Sequence, residues 1–250
     1  MSFPADYHAP SDLLQDRVIL ITGAGDGIGR AVALAAASHG ATVVLLGKTV
    51  SKLEAVYDQI DAMGAPQAAI YPLHLEGATP ADYDQLALTL QENFGRLDGL
   101  LHNAALLPYL SRLKDHEADD WMKIMQVNLN GPFLLTQSCY DLLAASTDAS
   151  LVFTSDNYGV QAKPFWGAYG ISKAAVEFLA RTWAAEVEHT TLRVNLIDPG
   201  PTLTALRKRV FPGEDNRNLK SPESLVQMYL WLLGPDSANV NGERICYPRA

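Results

Sequence analysis

Tyr169 and Lys173 stand four residues apart, so on a helix a phenol and an ammonium share one face. A free phenol ionises near pH ~10, too high for a good base at neutrality. An ammonium at ~4 Å is worth up to ~4 kcal/mol at an effective dielectric of ~20, or roughly three pKa units. Such a pair can serve as a general acid or base. Upstream, TSDNYG (154–159) places a carboxylate, Asp156, thirteen residues before Tyr169. Near the start, TGAGDGIG (22–29) carries Gly23, Gly25, Gly27 and Gly29, with Asp26 and Ile28 between them. Glycines let a backbone turn tightly and approach a ligand without Cβ obstruction. A helix opening there offers free N–H groups and a positive dipole end to a pyrophosphate. The spacing is Gly23-x-x-x-Gly27-x-Gly29, not Gly-x-Gly-x-x-Gly, because Ile28 and Arg30 occupy the intervening places.

Other spacings carry less. Ser111 and Lys114 form a Ser-x-x-Lys of the kind that arises by coincidence. Gly170-x-Ser172 is followed by Ala174, so the last glycine of a nucleophile elbow is missing, which disfavours a hydrolase. The six histidines show no ligand spacing, and Cys139 and Cys246 lie far apart, so no metal site is expected.

These groups need elements to hold them. Strands are expected at RVILIT (17–22), TVVLL (42–46), AAIYPL (68–73), LDGLLH (97–102), SLVFTS (150–155), LRVNLI (192–197) and ERICY (243–247). Helices are expected between them, at 28–38, 51–63, 79–94, 118–145, 169–189 and 221–233. Gly40 ends the first helix, while Thr79-Pro80 and Ser221-Pro222 open two others. Strands without clean alternation, separated by helices, indicate a parallel sheet covered on both faces. The expectation is one α/β domain over 1–250, a doubly wound parallel sheet of seven strands. Ligands in such sheets bind beyond the carboxyl ends of the strands, where the glycine turn, Asp156 and the Tyr169–Lys173 pair are expected to fall.

Composition narrows the partners. With 48% hydrophobic residues and a net charge of −9, the chain is globular and ill suited to nucleic acid or an anionic membrane. The opening MSFPADYHAPSDLLQD lacks a basic stretch followed by an apolar one, so it does not read as a signal peptide. Two distant cysteines fit a reducing cytoplasm. The second strand ends in Leu46-Gly47-Lys48, with no acid where one would grip a ribose 2′-hydroxyl. Lys48 can instead pair with a 2′-phosphate, so NADP(H) is expected over NAD(H).

TGAGDGIG, HNAALL (102–107), VNLNG (127–131), the Tyr169–Lys173 pair and NLIDPGPTLT (195–204) follow one another at intervals that resemble the short-chain dehydrogenase/reductase family. The resemblance covers essentially the whole chain. It implies a Rossmann-type sheet, a nicotinamide cofactor, and hydride transfer between that cofactor and a small carbonyl or alcohol. It implies Tyr169 as acid/base, Lys173 as its tuning and ribose-holding partner, and Asn128 as the holder of a relay water. Asn103 and Ala104, His74 and Leu75, and Pro199, Gly200, Thr202 and Thr204 would line the cofactor with the glycine loop. A homodimer or homotetramer built through the two long helices is also implied. Residues 201–220 would cover the substrate, with Phe165 and Trp166 as a further aromatic wall.

The chain departs from the family pattern at three places. The substrate-orienting serine is replaced by Asp156, although Gly159 matches the glycine three residues on. Asn-Ala-Gly is Asn103-Ala104-Ala105, and the adenine-facing Asp is His74. An ionised Asp156 can only accept a hydrogen bond and would oppose Lys173. Three readings follow: Asp156 is protonated and donates, Thr154 or Ser155 substitutes for the serine, or the usual carbonyl chemistry has been lost. The last is a catalytically impaired relative that binds a dinucleotide or a partner in a regulatory or structural role.

Overall fold

The computed structural model describes residues 3, 4 and 6–248. Met1, Ser2, Ala5, Arg249 and Ala250, which the single-domain and signal-peptide readings include, lie outside the described residues. Seven parallel strands form one sheet: β1 (Val18–Thr22), β2 (Thr42–Gly47), β3 (Ala69–Pro72), β4 (Gly99–His102), β5 (Ala149–Thr154), β6 (Leu192–Asp198) and β7 (Arg244–Cys246). Their order is β3-β2-β1-β4-β5-β6-β7. The chain winds outward from β1 in one direction and from β4 in the other, so a crevice opens between the carboxyl ends of these neighbours.

Among the described residues there are eight α-helices: α1 (Gly27–Ser38), α2 (Val50–Ala62), α3 (Pro80–Phe94), α4 (Ala118–Met125), α5 (Gly131–Ala144), α6 (Gly167–Glu186), α7 (Ala205–Val210) and α8 (Val226–Leu233). Strand alternation supplies two cores. Ile19, Ile21, Val43 and Leu45 pack toward α1, α2 and α8, whereas Leu20, Val44 and Leu46 pack toward α3, α5 and α6. Thr79 opens α3 with a full capping box, its backbone N–H donating to Asp82 at 2.7 Å, and Pro80 follows.

Three boundaries differ from the sequence expectation. The helix expected at 118–145 is interrupted at Gln126–Asn130 by a π turn in which Gly131 N–H donates to Gln126 O. Pro132 has no N–H to continue the regular ladder, and a Cβ at residue 131 would stand 3.1 Å from Gln126 O. The helix expected from 221 begins as a tight turn at Pro222–Leu225 before α8. The segment 201–220 carries the short helix α7, with Thr204 as N-cap. Among the described residues, no helix is long and apolar enough to cross a membrane.

Candidate active site

The glycine turn joins β1 to α1. Gly27 sits at φ +52°, which suits a residue without Cβ. At Gly29 a Cβ would meet Gly23 O at 2.3 Å, so glycine is what lets α1 begin against the end of β1. Asp26 caps α1 by accepting from Gly27 N–H, and Lys52 on α2 pairs with the same carboxylate. That pairing holds the Asp26 carboxyl below its ordinary range and reduces the negative charge at the helix end. Thr22, which sequence reasoning passed over, closes the turn: its hydroxyl accepts from Asn103 N–H at 2.9 Å and Ala104 N–H at 3.0 Å. A threonine at the last position of the first strand was the available signal.

A cleft of ≈ 1020 Å³ runs along the carboxyl ends of the strands. Gly23, Gly25, Asp26, Gly27, Ile28, Lys48, His74, Leu75, Asn103, Ala104, Asp156, Tyr169, Lys173, Pro199, Gly200, Thr202 and Thr204 all line it. Lys48, exposed beyond β2, has no carboxylate partner among the described residues, whereas His74 Nε2 lies 3.8 Å from Glu76 Oε2. Gly200 N–H donates to Asp198 at 2.9 Å, and the Thr202 hydroxyl donates to Gly200 O at 3.0 Å. The Thr204 hydroxyl accepts from Arg207 N–H, so it first serves its own helix start.

Gly29 and Asn128 stand back from the cleft. Asn128 projects from the π turn, fully buried; its Oδ1 accepts from Leu106 N–H and its Nδ2 donates to Leu106 O and Ser172 Oγ. No side-chain N–H is left for the expected relay water, and the side chain instead pins the strand-four loop to α6. Ser172, set aside as an incomplete elbow, is therefore a strut: its hydroxyl donates to Tyr169 O at 2.7 Å.

The reactive end is assembled on α6. The Tyr169 hydroxyl donates to Asp156 Oδ2 at 3.0 Å. The other Asp156 oxygen accepts from Tyr158 N–H at 3.1 Å, capping the turn Asn157–Gly159. Gly159 rides on α6, where a Cβ would meet the Lys173 backbone at 2.8 Å. Lys173 Nζ donates to Thr154 O at 2.7 Å and stands 5.7 Å from the Tyr169 ring centroid. Both candidate substitutes for the serine are engaged elsewhere: Ser155 Oγ donates to Glu177 at 2.6 Å, and Thr154 Oγ1 lies 3.1 Å from Tyr229 OH.

The electrostatics reverse one expectation. Burial pushes the Tyr169 phenol well above its ordinary range, and the Asp156 charge and hydrogen bond push it further. Burial also lowers Lys173 to about 8, against the pull of Asp156 and Glu177. Lys173 therefore does not bring Tyr169 down here: its ammonium is turned to a carbonyl, and the charge bonded to the phenol is a carboxylate. Burial raises the Asp156 carboxyl above its own usual range.

This arrangement puts a glycine turn at one end of the cleft and a phenol, an ammonium and a carboxylate at the other, in a chain similar to known proteins. The sequence profile described as short chain dehydrogenase matches residues 17–215. The uncharacterized oxidoreductase YciK of Escherichia coli is 44% identical over 236 residues, covering 94% of this chain and 93% of the relative. A solved short chain dehydrogenase of Pseudomonas syringae is 47% identical with a TM-score of 0.94, covering 96% of this chain and 98% of that one. A second, from Escherichia coli CFT073 and complexed with NADPH, is 44% identical with a TM-score of 0.92, covering 95% and 98%.

Proposed function

Because the chain belongs to the short-chain dehydrogenase family, we propose that it is an NADP(H)-dependent oxidoreductase that interconverts a small carbonyl compound and its alcohol, with NADP(H) preferred over NAD(H). The observation that carries this is the convergence, in one cleft, of the glycine turn and the Tyr169–Lys173 pair. The cradle fits the cofactor: Gly27 and Ile28 at the start of α1 line the cleft, no acidic residue stands in that helix's first turn, and the Asp26 charge is met by Lys52. Lys48 is free to meet a 2′-phosphate. NADPH in the solved Escherichia coli relative supports the same assignment. When bound, the cofactor supplies or accepts the hydride at the substrate carbon.

Tyr169 carries the proton that a carbonyl oxygen gains on reduction. Lys173 holds the backbone at the end of β5 and faces the cofactor ribose. Asp156 takes the serine's place as a neutral acid: with its proton on, it can donate to the substrate oxygen and leaves the Tyr169 proton available. With its proton off, it can only draw the Tyr169 hydroxyl to itself. Turnover is therefore expected to favour the acid side. We take the whole chain as one domain, with 201–220 as substrate cover, and propose a cytoplasmic homodimer or homotetramer joined through α5 and α6.

The Tyr169-to-Asp156 hydrogen bond also favours a second reading, a relative that binds the dinucleotide with its acid group held down. The deciding experiment follows NADPH consumption by the natural protein and by Asp156→Ser over a panel of aldehydes, ketones and quinones from pH ~5 to ~9. Turnover by the natural protein, strongest at low pH, supports the enzyme. A silent natural protein beside an active Asp156→Ser variant establishes the second reading.

A further inference from the structure

The far end of the cleft, beyond Tyr169, is walled by rings. Tyr158 stacks on Trp166 with centroids 3.4 Å apart and planes 13° from parallel. Trp166 in turn lies 5.7 Å from the Tyr169 ring and 5.9 Å from Phe211. With Leu107 these side chains form an apolar cluster separate from the two cores of the sheet. Broad, rigid faces of this kind favour a flat ring, which gains offset or edge contacts beyond its area burial.

Cations stand beside this wall in a chain whose net charge is −9. Arg207 lies 4.1 Å from the Phe211 ring centroid, but Glu214 grips its guanidinium through two hydrogen bonds of 2.7 and 2.6 Å. Lys163 and Arg209 differ. Both are exposed, both line the cleft, and neither has a carboxylate partner among the described residues. Lys163 Nζ stands 5.4 Å from the Tyr158 ring centroid, at the edge of the aromatic wall. Cations without a carboxylate partner beside an apolar wall draw an anion inward, and a guanidinium offers a carboxylate two parallel hydrogen bonds.

We infer that the substrate is a planar aromatic carbonyl compound bearing an anionic group, such as a carboxylate, remote from the carbonyl, and that Lys163 and Arg209 are the residues that select it. The ring would lie in the cleft against the wall that Trp166 and Phe211 form, the carbonyl oxygen would reach Tyr169, and the anion would meet the rim. This inference rests on the oxidoreductase reading of the cleft, so its test includes a measurement that needs no turnover.

Calorimetric titration of the NADP⁺-loaded protein compares naphthoate with naphthamide, which share a ring system and differ in charge. Naphthoate is expected to bind about ten-fold more tightly at low salt, the advantage shrinking as salt is added. The double variant Lys163→Glu with Arg209→Glu is expected to abolish that advantage. In turnover, kcat/KM for para-carboxybenzaldehyde is expected to exceed that for para-formylbenzamide by a similar factor, and the ratio to collapse in the double variant. Equal affinity for the two naphthyl compounds overturns the inference, whatever the turnover. So does a variant that raises KM for NADPH while leaving the ratio of the two aldehydes unchanged, because the cations would then serve the cofactor. A naphthoate preference erased by the variant supports the inference; if no carbonyl is reduced by the same preparation, the oxidoreductase reading alone has failed.

Discussion

The two ends of the sheet handle charge in opposite ways. At the amino ends of the strands, Arg17, Asp98, Ser146, Asp148 and Arg193 are bonded to one another and to strand ends. Asp98 accepts from Val18 N–H at 2.9 Å, Ser146 Oγ at 2.6 Å and Arg96 Nε at 3.1 Å. Arg17 donates to Asp148 Oδ2 at 2.8 Å, and Arg193 donates to Asp148 Oδ1 at 3.2 Å and Ser237 Oγ at 2.8 Å. Here buried charge is met within the fold at every one of these groups except the Arg17 Nε, which has no partner among the described residues. At the carboxyl ends, Lys173 turns to a backbone carbonyl, the Tyr169 hydroxyl donates a hydrogen bond to Asp156, and the cleft lies open beside them. Charge that is fully met by the protein locks a structure, whereas charge facing a cleft remains available to a ligand. The difference lies in partners, since a carboxylate and a cation stand at both ends.

The contrast predicts that changes at the carboxyl end alter turnover and leave folding intact, while changes at the amino end do the reverse. The largest expected effect is Tyr169→Phe, which lowers kcat by about 10²–10⁴-fold while the NADPH dissociation constant and the melting temperature stay near those of the natural protein. A melting temperature that falls with kcat would dissolve the contrast. Next, Asp98→Ala strips the donors at the amino end of their acceptor and costs about 3–5 kcal/mol in denaturant unfolding. Protein that remains folded should keep its NADPH affinity.

A smaller effect is expected from Lys48→Ala, which raises the dissociation constant for NADPH about ten-fold with little change for NADH. Equal losses for both cofactors would remove the 2′-phosphate from its assigned place. The smallest effect comes from Asp156→Asn. Burial raises this carboxyl's pKa in the folded state, so the fold binds the proton more readily than the unfolded chain does. That contribution favours folding below the unfolded pKa of ~3.9 and is lost as pH rises through the folded value. Removing the charge should therefore raise the melting temperature at pH ~8 and leave it nearly unchanged at pH ~4. A gain of equal size at both values would mean that Asp156 is not the titrating group.

Much of this architecture was legible before any coordinates. Every expected strand is present, because short β-branched runs bounded by turn residues leave few alternatives. Thr79-Pro80 gave the start of α3 for a local reason, since a cap and a first-turn proline act within four residues. The break between α4 and α5 was less visible: Gly131-Pro132 signals a disturbance but does not say whether the helix ends or opens by one residue. Which side Thr154 and Ser155 face could be argued from alternation; that Tyr229 and Glu177 wait there could not, because those partners lie 75 and 22 residues away. The aromatic wall was legible only in part: Trp166 lines the cleft as expected and Phe165 does not, while Tyr158 and Phe211 join Trp166 from two other segments.

The sequence by itself determined the alternation of elements, the glycine turn, the Tyr169–Lys173 spacing and the presence of a carboxylate at 156, all of which depend on residues close along the chain. Only the tertiary structure decided what each group does with its charge. It turned Lys173 to Thr154 O, drew the Tyr169 hydroxyl into a hydrogen bond with Asp156, engaged Asn128 with Leu106 and Ser172, and left Lys163 and Arg209 at the cleft edge with no carboxylate partner among the described residues. Protonation and hydrogen-bond direction are set by burial and by the nearest opposite group, and both arise only when distant segments are brought together.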